Sequence, residues 1–240
     1  MSKMIAVCGS PNSGKTTVAL KLGQEIYTLT KAPVIFLSPD LSVPSMAYLF
    51  PNGKDSELFS LGAALDKTDI YVEDVLKETV GSRTMRNFGF LGFKLGENKY
   101  SYPRPTEDKV DQLITVLKDL AEYVIADCTC DEGDLLSSAA KRDCDVAVRL
   151  FTPDIKCITY CASCVNQFVT VENKCIKVMN IPDNDVYYPI KESADHFKDM
   201  DHIIPYEREI KKQMITGALS ERIGNGKFRS EIEKIAKAVI

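Results

Sequence analysis

Short apolar runs alternate with longer stretches in which apolar residues recur every three or four positions. Residues 4–8 (Met-Ile-Ala-Val-Cys) form such a run and stop at Gly9, as a buried parallel strand does. Residues 16–29 then carry Val18, Leu20, Leu22, Ile26 and Leu29 at roughly helical spacing. Pro33 closes that helix and residues 34–37 form a second buried run. Strand, helix and strand within about 35 residues make a βαβ unit with a right-handed crossover. Residues 38–54 are punctuated by Pro39, Pro44 and Pro51 and read as a loop with a short helix near 45–50.

Helical patterning returns at 58–64 and 72–80, a strand is predicted at 87–95 and a polar loop at 96–105. Residues 106–123 form an amphipathic helix, with Val110, Leu113, Ile114, Leu117 and Leu120 on one face. Strands follow at 123–126, 146–151, 174–179 and 202–204, with helices at 135–141 and from Pro153 to about Phe168. Residues 185–195 have no clear pattern, and two helices close the chain. This alternation predicts an α/β fold, a doubly wound and mostly parallel sheet flanked by helices in three layers. No linker, repeat or low-complexity tract interrupts it, so residues 1–240 are expected to form a single domain.

Composition supports a globular chain: 240 residues, 45% hydrophobic and 27% charged. No apolar run approaches the roughly 18 residues of a spanning helix. The start of the chain shows neither a charged leader nor a cleavage site, so a cytoplasmic location is expected. A net charge of −4 gives no strong nucleic-acid signal. Eight cysteines without a secretory signal predict reduced thiols.

Gly9-Ser10-Pro11-Asn12-Ser13-Gly14-Lys15-Thr16 matches G-x-x-x-x-G-K-[ST] in full, between a buried strand and a helix. Backbone N–H groups of such a loop turn inward around a β-phosphate. Lys15 brings a charge to the β- and γ-phosphates, Thr16 offers a hydroxyl to Mg²⁺, and Thr17 continues the helix whose N-terminus faces the anion. This segment predicts ATP and Mg²⁺ as ligands.

The order and spacing of the motifs over nearly the whole chain resemble the MinD/ParA-type ATPases, closest to the TadZ/CpaE pilus-assembly branch. Asp40, 25 residues beyond Lys15, stands where that family has a strand-end aspartate near the γ-phosphate. The resemblance implies that Asp40 helps place the attacking water and the metal shell; a strand-end Asp capping the next turn is the alternative. Asp127 resembles the aspartate that holds Mg²⁺ through water. Asn180 and the Pro205-Tyr206 pair fall where the family recognises the base. The resemblance also implies a nucleotide-dependent homodimer, a protein partner and a role in organising a pilus or secretion machine, or in partitioning.

Two departures matter. Ser10 stands at the position of the family's signature lysine, which reaches across the dimer, and Ser38 replaces its first strand-end aspartate. Loss of the trans cation implies slow hydrolysis, or a nucleotide-binding module that no longer turns over.

Cys157, Cys161, Cys164 and Phe168 fit one helical stripe facing the core. The alternative uses Cys161 and Cys164 as a metal-binding pair of a metal-insertion or iron–sulfur-type ATPase. Cys128 and Cys130 follow Asp127 in a loop open to redox chemistry. The last helix carries Phe228, Ile232, Ile235 and Val239 on one face, suited to covering the sheet or, alternatively, to seeking a membrane.

Overall fold

The computed structural model describes residues 2–53, 58–184 and 189–240. Its centre is an eight-stranded sheet: β1 (Lys3–Gly9), β2 (Val34–Ser38), β3 (Val80–Gly81), β4 (Phe88–Gly92), β5 (Tyr123–Asp127), β6 (Val146–Phe151), β7 (Cys175–Asn180) and β8 (His202–Ile204). The spatial order is β3-β4-β2-β5-β1-β6-β7-β8, and every pairing is parallel except β3 with β4. This is the doubly wound α/β architecture expected from the alternation. The central strands β1, β2 and β5 are buried on both faces, which explains their unbroken apolar runs.

One face is covered by α1 (Lys15–Thr30) and α10 (Lys227–Val239). Phe228, Ile232, Ile235 and Val239 are buried there, so the packing role of the last helix holds. Phe36, Phe88, Phe90 and Phe50 interlock beneath them, with ring centroids 5.0–6.0 Å apart. α1 buries polar groups as well. Lys21 Nζ donates to Gln213 Oε1 and the Leu219 carbonyl, both at 2.8 Å, and to the Glu221 carbonyl. Burial pulls this amine down to about 7. Lys21 and Gln24, which donates to the Ser220 carbonyl at 2.7 Å, pin the segment after α9 (Arg208–Thr216) against α1.

The opposite face carries α3 (Leu61–Leu65), α4 (Val72–Lys77), α5 (Glu107–Leu120) and α6 (Leu135–Asp143); α2 (Met46–Leu49) lies in the proline-punctuated loop. α5 starts where Thr106 accepts from the Lys109 N–H, a cap of about 1 kcal/mol. Two expectations need correction. The helix expected over 72–80 stops at Lys77, because Val80 and Gly81 leave it to pair with Phe90 and Gly89.

The helix expected to run to Phe168 is α7 (Ile155–Ser163), followed by a 3-10 turn at Val165–Phe168. Cys157 and Phe168 are buried as the stripe requires, whereas Cys161 and Cys164 are half-buried. The break lets Phe168 lie under the Arg149 guanidinium at 3.7 Å and edge-on to Tyr160. In the region without a clear pattern, α8 spans Ile190–Phe197, and 185–188 lie outside the described residues. No helix among the described residues is long and apolar enough to cross a membrane.

Candidate functional site

β1 ends at Gly9 between the ends of β5 and β6, with Val7 opposite Asp127 and Gly9 opposite Leu150. Gly9 has φ +152°, and a Cβ there would stand 2.5 Å from the Leu150 carbonyl oxygen, so only glycine fits. Gly14 caps α1 in the left-handed region at φ +86°. The loop between them places Lys15 and Thr16 in the first turn of α1, directly over the C-terminal ends of β1 and β5.

Lys15 Nζ donates to the Ser10 carbonyl at 2.9 Å and lies 3.0 Å from Cys130 Sγ. Thr16 Oγ1 donates to Asp127 Oδ2 at 2.6 Å. Burial pushes the Asp127 carboxyl up to about 7, against the lowering effects of the Thr16 hydrogen bond and the Lys15 charge; the nearby Asp40 charge raises it further.

Asp40 Oδ1 accepts from the backbone N–H groups of Ser42 and Val43 at 2.8 and 2.9 Å. Asp40 therefore caps the following turn and also faces the cleft. Asn180, at the end of β7, donates from Nδ2 to the Ser13 carbonyl at 2.8 Å. That contact fixes the orientation of the amide, because a carbonyl partner demands the nitrogen.

These groups surround one cleft of about 760 Å³. Pro11, Asn12, Gly14, Lys15, Thr16, Thr17, Asp40, Asp127, Asn180, Pro205 and Tyr206 all line it. Gly9, Ser10 and Ser13 lie behind the wall, and Ser10 and Ser13 are buried at 1% and 0% exposure. The Ser10 hydroxyl packs beside Cys157, so the position of the expected signature lysine points inward.

Sequence reasoning missed Tyr48 from α2, which lines the cleft with Thr16 and whose phenol is pushed up to about 12 by burial and the charge of Asp127. It also missed Met214 and Ile215 of α9, on the same wall as Pro205 and Tyr206. A lone tyrosine among prolines gives no motif that could reveal it.

Thr16, Asp127 and Asp40 form an oxygen-only donor set at the phosphate end. Burial leaves the negative charge of Asp127 poorly compensated, and a divalent cation would compensate it, so the residues fit Mg²⁺. All eight cysteines are free, and no group of three His, Cys, Asp or Glu among the described residues is arranged to hold a metal. The thiols of Cys157 and Cys161 influence each other, which pulls that of Cys157 down and raises that of Cys161.

No family model and no curated protein matches the sequence. Solved structures do match. MinD of Pyrococcus horikoshii, complexed with Mg-ADP, superposes with a TM-score of 0.74 at 17% identity, over 100% of this chain and 96% of that one. A ParA family ATPase from Chlorobium tepidum gives 0.68 at 11%, over 98% and 99%. MinD in the MinC:MinD cell division complex of Aquifex aeolicus gives 0.72 at 14%, over 98% and 95%. Each match spans nearly the whole of both chains, and the fold of this chain is that of the MinD/ParA-type P-loop ATPases.

Proposed function

We propose that this protein is a cytoplasmic, MinD/ParA-like ATPase that binds Mg·ATP, hydrolyses it slowly and uses the nucleotide state to control association with itself and a protein partner. The observation that carries this reading is that Lys15, Thr16, Asp127, Asn180, Pro205 and Tyr206 all line one cleft. The fold shared with an Mg-ADP-bound MinD and a MinC:MinD complex supports the nucleotide and the protein partner. The TadZ/CpaE placement, and with it a pilus or secretion role as against partitioning, rests on Ser10 and Ser38 alone.

Each residue has a task. N–H groups of the loop 9–16 and the N-terminus of α1 hold the phosphates. Lys15 exchanges its contacts with Ser10 and Cys130 for the β- and γ-phosphates. Thr16 and Asp127 would hold Mg²⁺, Asp127 through water, and the ion would neutralise charge developing on the β–γ bridge. Asp40 orients the water whose oxygen bonds to the γ-phosphorus as the bridging P–O bond breaks, releasing ADP and phosphate. Asn180, its Nδ2 held by Ser13, has its side-chain oxygen to accept from an exocyclic amine of the base. Tyr206 and Pro205 cover the ring.

A specific observation favours a second reading. Ser10 is buried and uncharged, so this position supplies no cation to a neighbouring subunit, and a binding module without turnover follows if no other group replaces it. Steady-state ATPase rates and ATP titrations of wild type, Lys15→Ala and Asp40→Ala decide between the two. The enzyme reading expects Lys15→Ala to lose binding and Asp40→Ala to bind ATP but turn over at least about tenfold more slowly. Wild type that binds ATP yet hydrolyses no faster than Lys15→Ala leaves the binding module. ATP-dependent mass doubling in light scattering tests the dimer.

A further inference from the structure

The ATP cleft leaves a second concavity unexplained. A cavity of about 650 Å³ opens beyond Asp40 and Cys130, over the ends of β4, β2 and β5. Leu41, Leu65, Phe93, Leu135 and Leu136 give it an apolar part, beside a charged part with Asp40, Asp131, Asp134, Lys99 and Arg104. Ligands of open α/β sheets settle at the carboxyl ends of the strands, where this cavity lies. Its size is within the range of small-molecule sites.

The outer wall is built rather than loosely draped. Glu97 Oε2 accepts from the Lys94 N–H and the Ser60 hydroxyl, both at 2.7 Å, and Oε1 accepts from the Tyr102 hydroxyl at 2.8 Å. The Tyr102 ring rests on Gly62, where a Cβ would stand 2.2 Å from it. Any side chain at Gly62 would displace the ring and open the wall.

The charges of the cavity are unequally engaged. Asp40 caps the Ser42–Val43 turn, and Asp131 accepts from the Gly133 N–H at 2.8 Å. Asp134 accepts from the hydroxyls of Thr129 and Ser137 and from the Leu136 N–H. Each acid is thus committed to the loop that carries it. The two cations at the mouth have no carboxylate partner among the described residues: Arg104 reaches the Gly133 carbonyl at 3.3 Å, and Lys99 lies over the Tyr100 ring.

We propose that this cavity is a second ligand site, for a small organic anion whose apolar body fills the Leu65–Phe93–Leu135 floor and whose carboxylate or phosphate head is held by Arg104 and Lys99. Asp40, Thr129 and Cys130 line both this cavity and the ATP cleft, so the ligand would sit against the loops that face the γ-phosphate.

Fluorescence titration with anilinonaphthalene sulfonate, an apolar body bearing an anion, tests the site, followed by displacement with decanoate, decyl phosphate, decanol and decylamine. One probe is expected per chain. Decanoate or decyl phosphate should displace it at about tenfold lower concentration than decanol or decylamine, and the better of the two identifies the head group. Arg104→Glu should weaken the probe about tenfold and Leu135→Trp, which fills the floor, should abolish it. Lys15→Ala should leave the probe bound while ATP binding is lost, which separates this site from the ATP reading.

Decanol or decylamine matching both anions overturns the proposal. So does probe binding that Arg104→Glu and the surface variant Lys99→Glu each leave within about twofold of wild type. Probe binding removed by Lys15→Ala places it in the ATP cleft and overturns the proposal too.

Discussion

The two cavities at the carboxyl ends of the strands differ in how far their charged groups are withdrawn from water. In the phosphate-loop cleft the charged groups are held by neutral partners: Lys15 by the Ser10 carbonyl and the Cys130 thiol, Asp127 by the Thr16 hydroxyl. In the neighbouring cavity the acids are engaged, while Arg104 and Lys99 face the mouth without a counter-charge. The difference follows from burial. Asp127 is buried at the end of a central strand, where a charge without partners is costly. Arg104 and Lys99 are exposed, and water solvates them adequately. Ligand binding in the first cleft is therefore an exchange of partners, and in the second a replacement of water.

The largest effect expected from this contrast is at Lys15. Lys15→Ala removes a charge-assisted contact worth about 2–3 kcal/mol, so ATP affinity in a calorimetric titration should fall roughly a hundredfold. Arg104→Ala should leave ATP affinity within about twofold. Equal losses from both variants would mean that the cavities form one site, and the contrast would fail.

Next in size is Asn180→Ala. Asn180 ties the end of β7 to the phosphate loop, and its loss leaves the buried Ser13 carbonyl without its donor, at a cost of about 1–3 kcal/mol. Denaturant unfolding should show that loss in the midpoint, and discrimination between ATP and GTP should narrow. Gly14→Ala would bring a Cβ to 2.5 Å from Asn180 Nδ2 at a left-handed φ, so it should damage the same contact from the other side.

The phosphate loop was legible in the sequence because its backbone geometry dictates where glycine must stand. The position of Asp127 beside that loop was legible because it closes an apolar strand that follows an amphipathic helix. The doubly wound, mostly parallel sheet followed from alternation, but β3 did not: its two residues are a strand only because β4 lies alongside. The break in α7 was equally hidden, since helical spacing of Cys157, Cys161, Cys164 and Phe168 says nothing of Arg149, whose guanidinium Phe168 meets only after the helix has ended. Tyr48 and the wall of the second cavity come from loops, and their placement depends on long-range contacts such as Ser60 with Glu97.

Cys130→Ala makes a smaller, opposite change. It takes from Lys15 a thiol that must be released when phosphate binds. ATP affinity should rise by up to about threefold, a gain well under 1 kcal/mol, with no loss of stability beyond that of a half-buried side chain. A fall in affinity would show that Cys130 positions Lys15 rather than competing for it.

The smallest effect lies away from both cavities, at a pH-dependent ion pair. Glu231 on α10 accepts from His202 Nδ1 at 2.7 Å and Lys234 Nζ at 2.8 Å. Burial raises its carboxyl, but these two partners outweigh burial and hold it below its ordinary value of 4.5. Because the folded-state value is the lower one, the stabilisation is complete above the ordinary value and disappears as pH falls through the depressed one. For a pair of this exposure the contribution is at most about 1 kcal/mol. Glu231→Gln should lower the thermal midpoint slightly at pH 7 and flatten its decline below about pH 4.5, while ATP and probe affinities at pH 7 stay unchanged. Weakening of either ligand at pH 7 in this variant would show that the β8–α10 edge is coupled to the cavities, and the contrast between them would no longer be purely local.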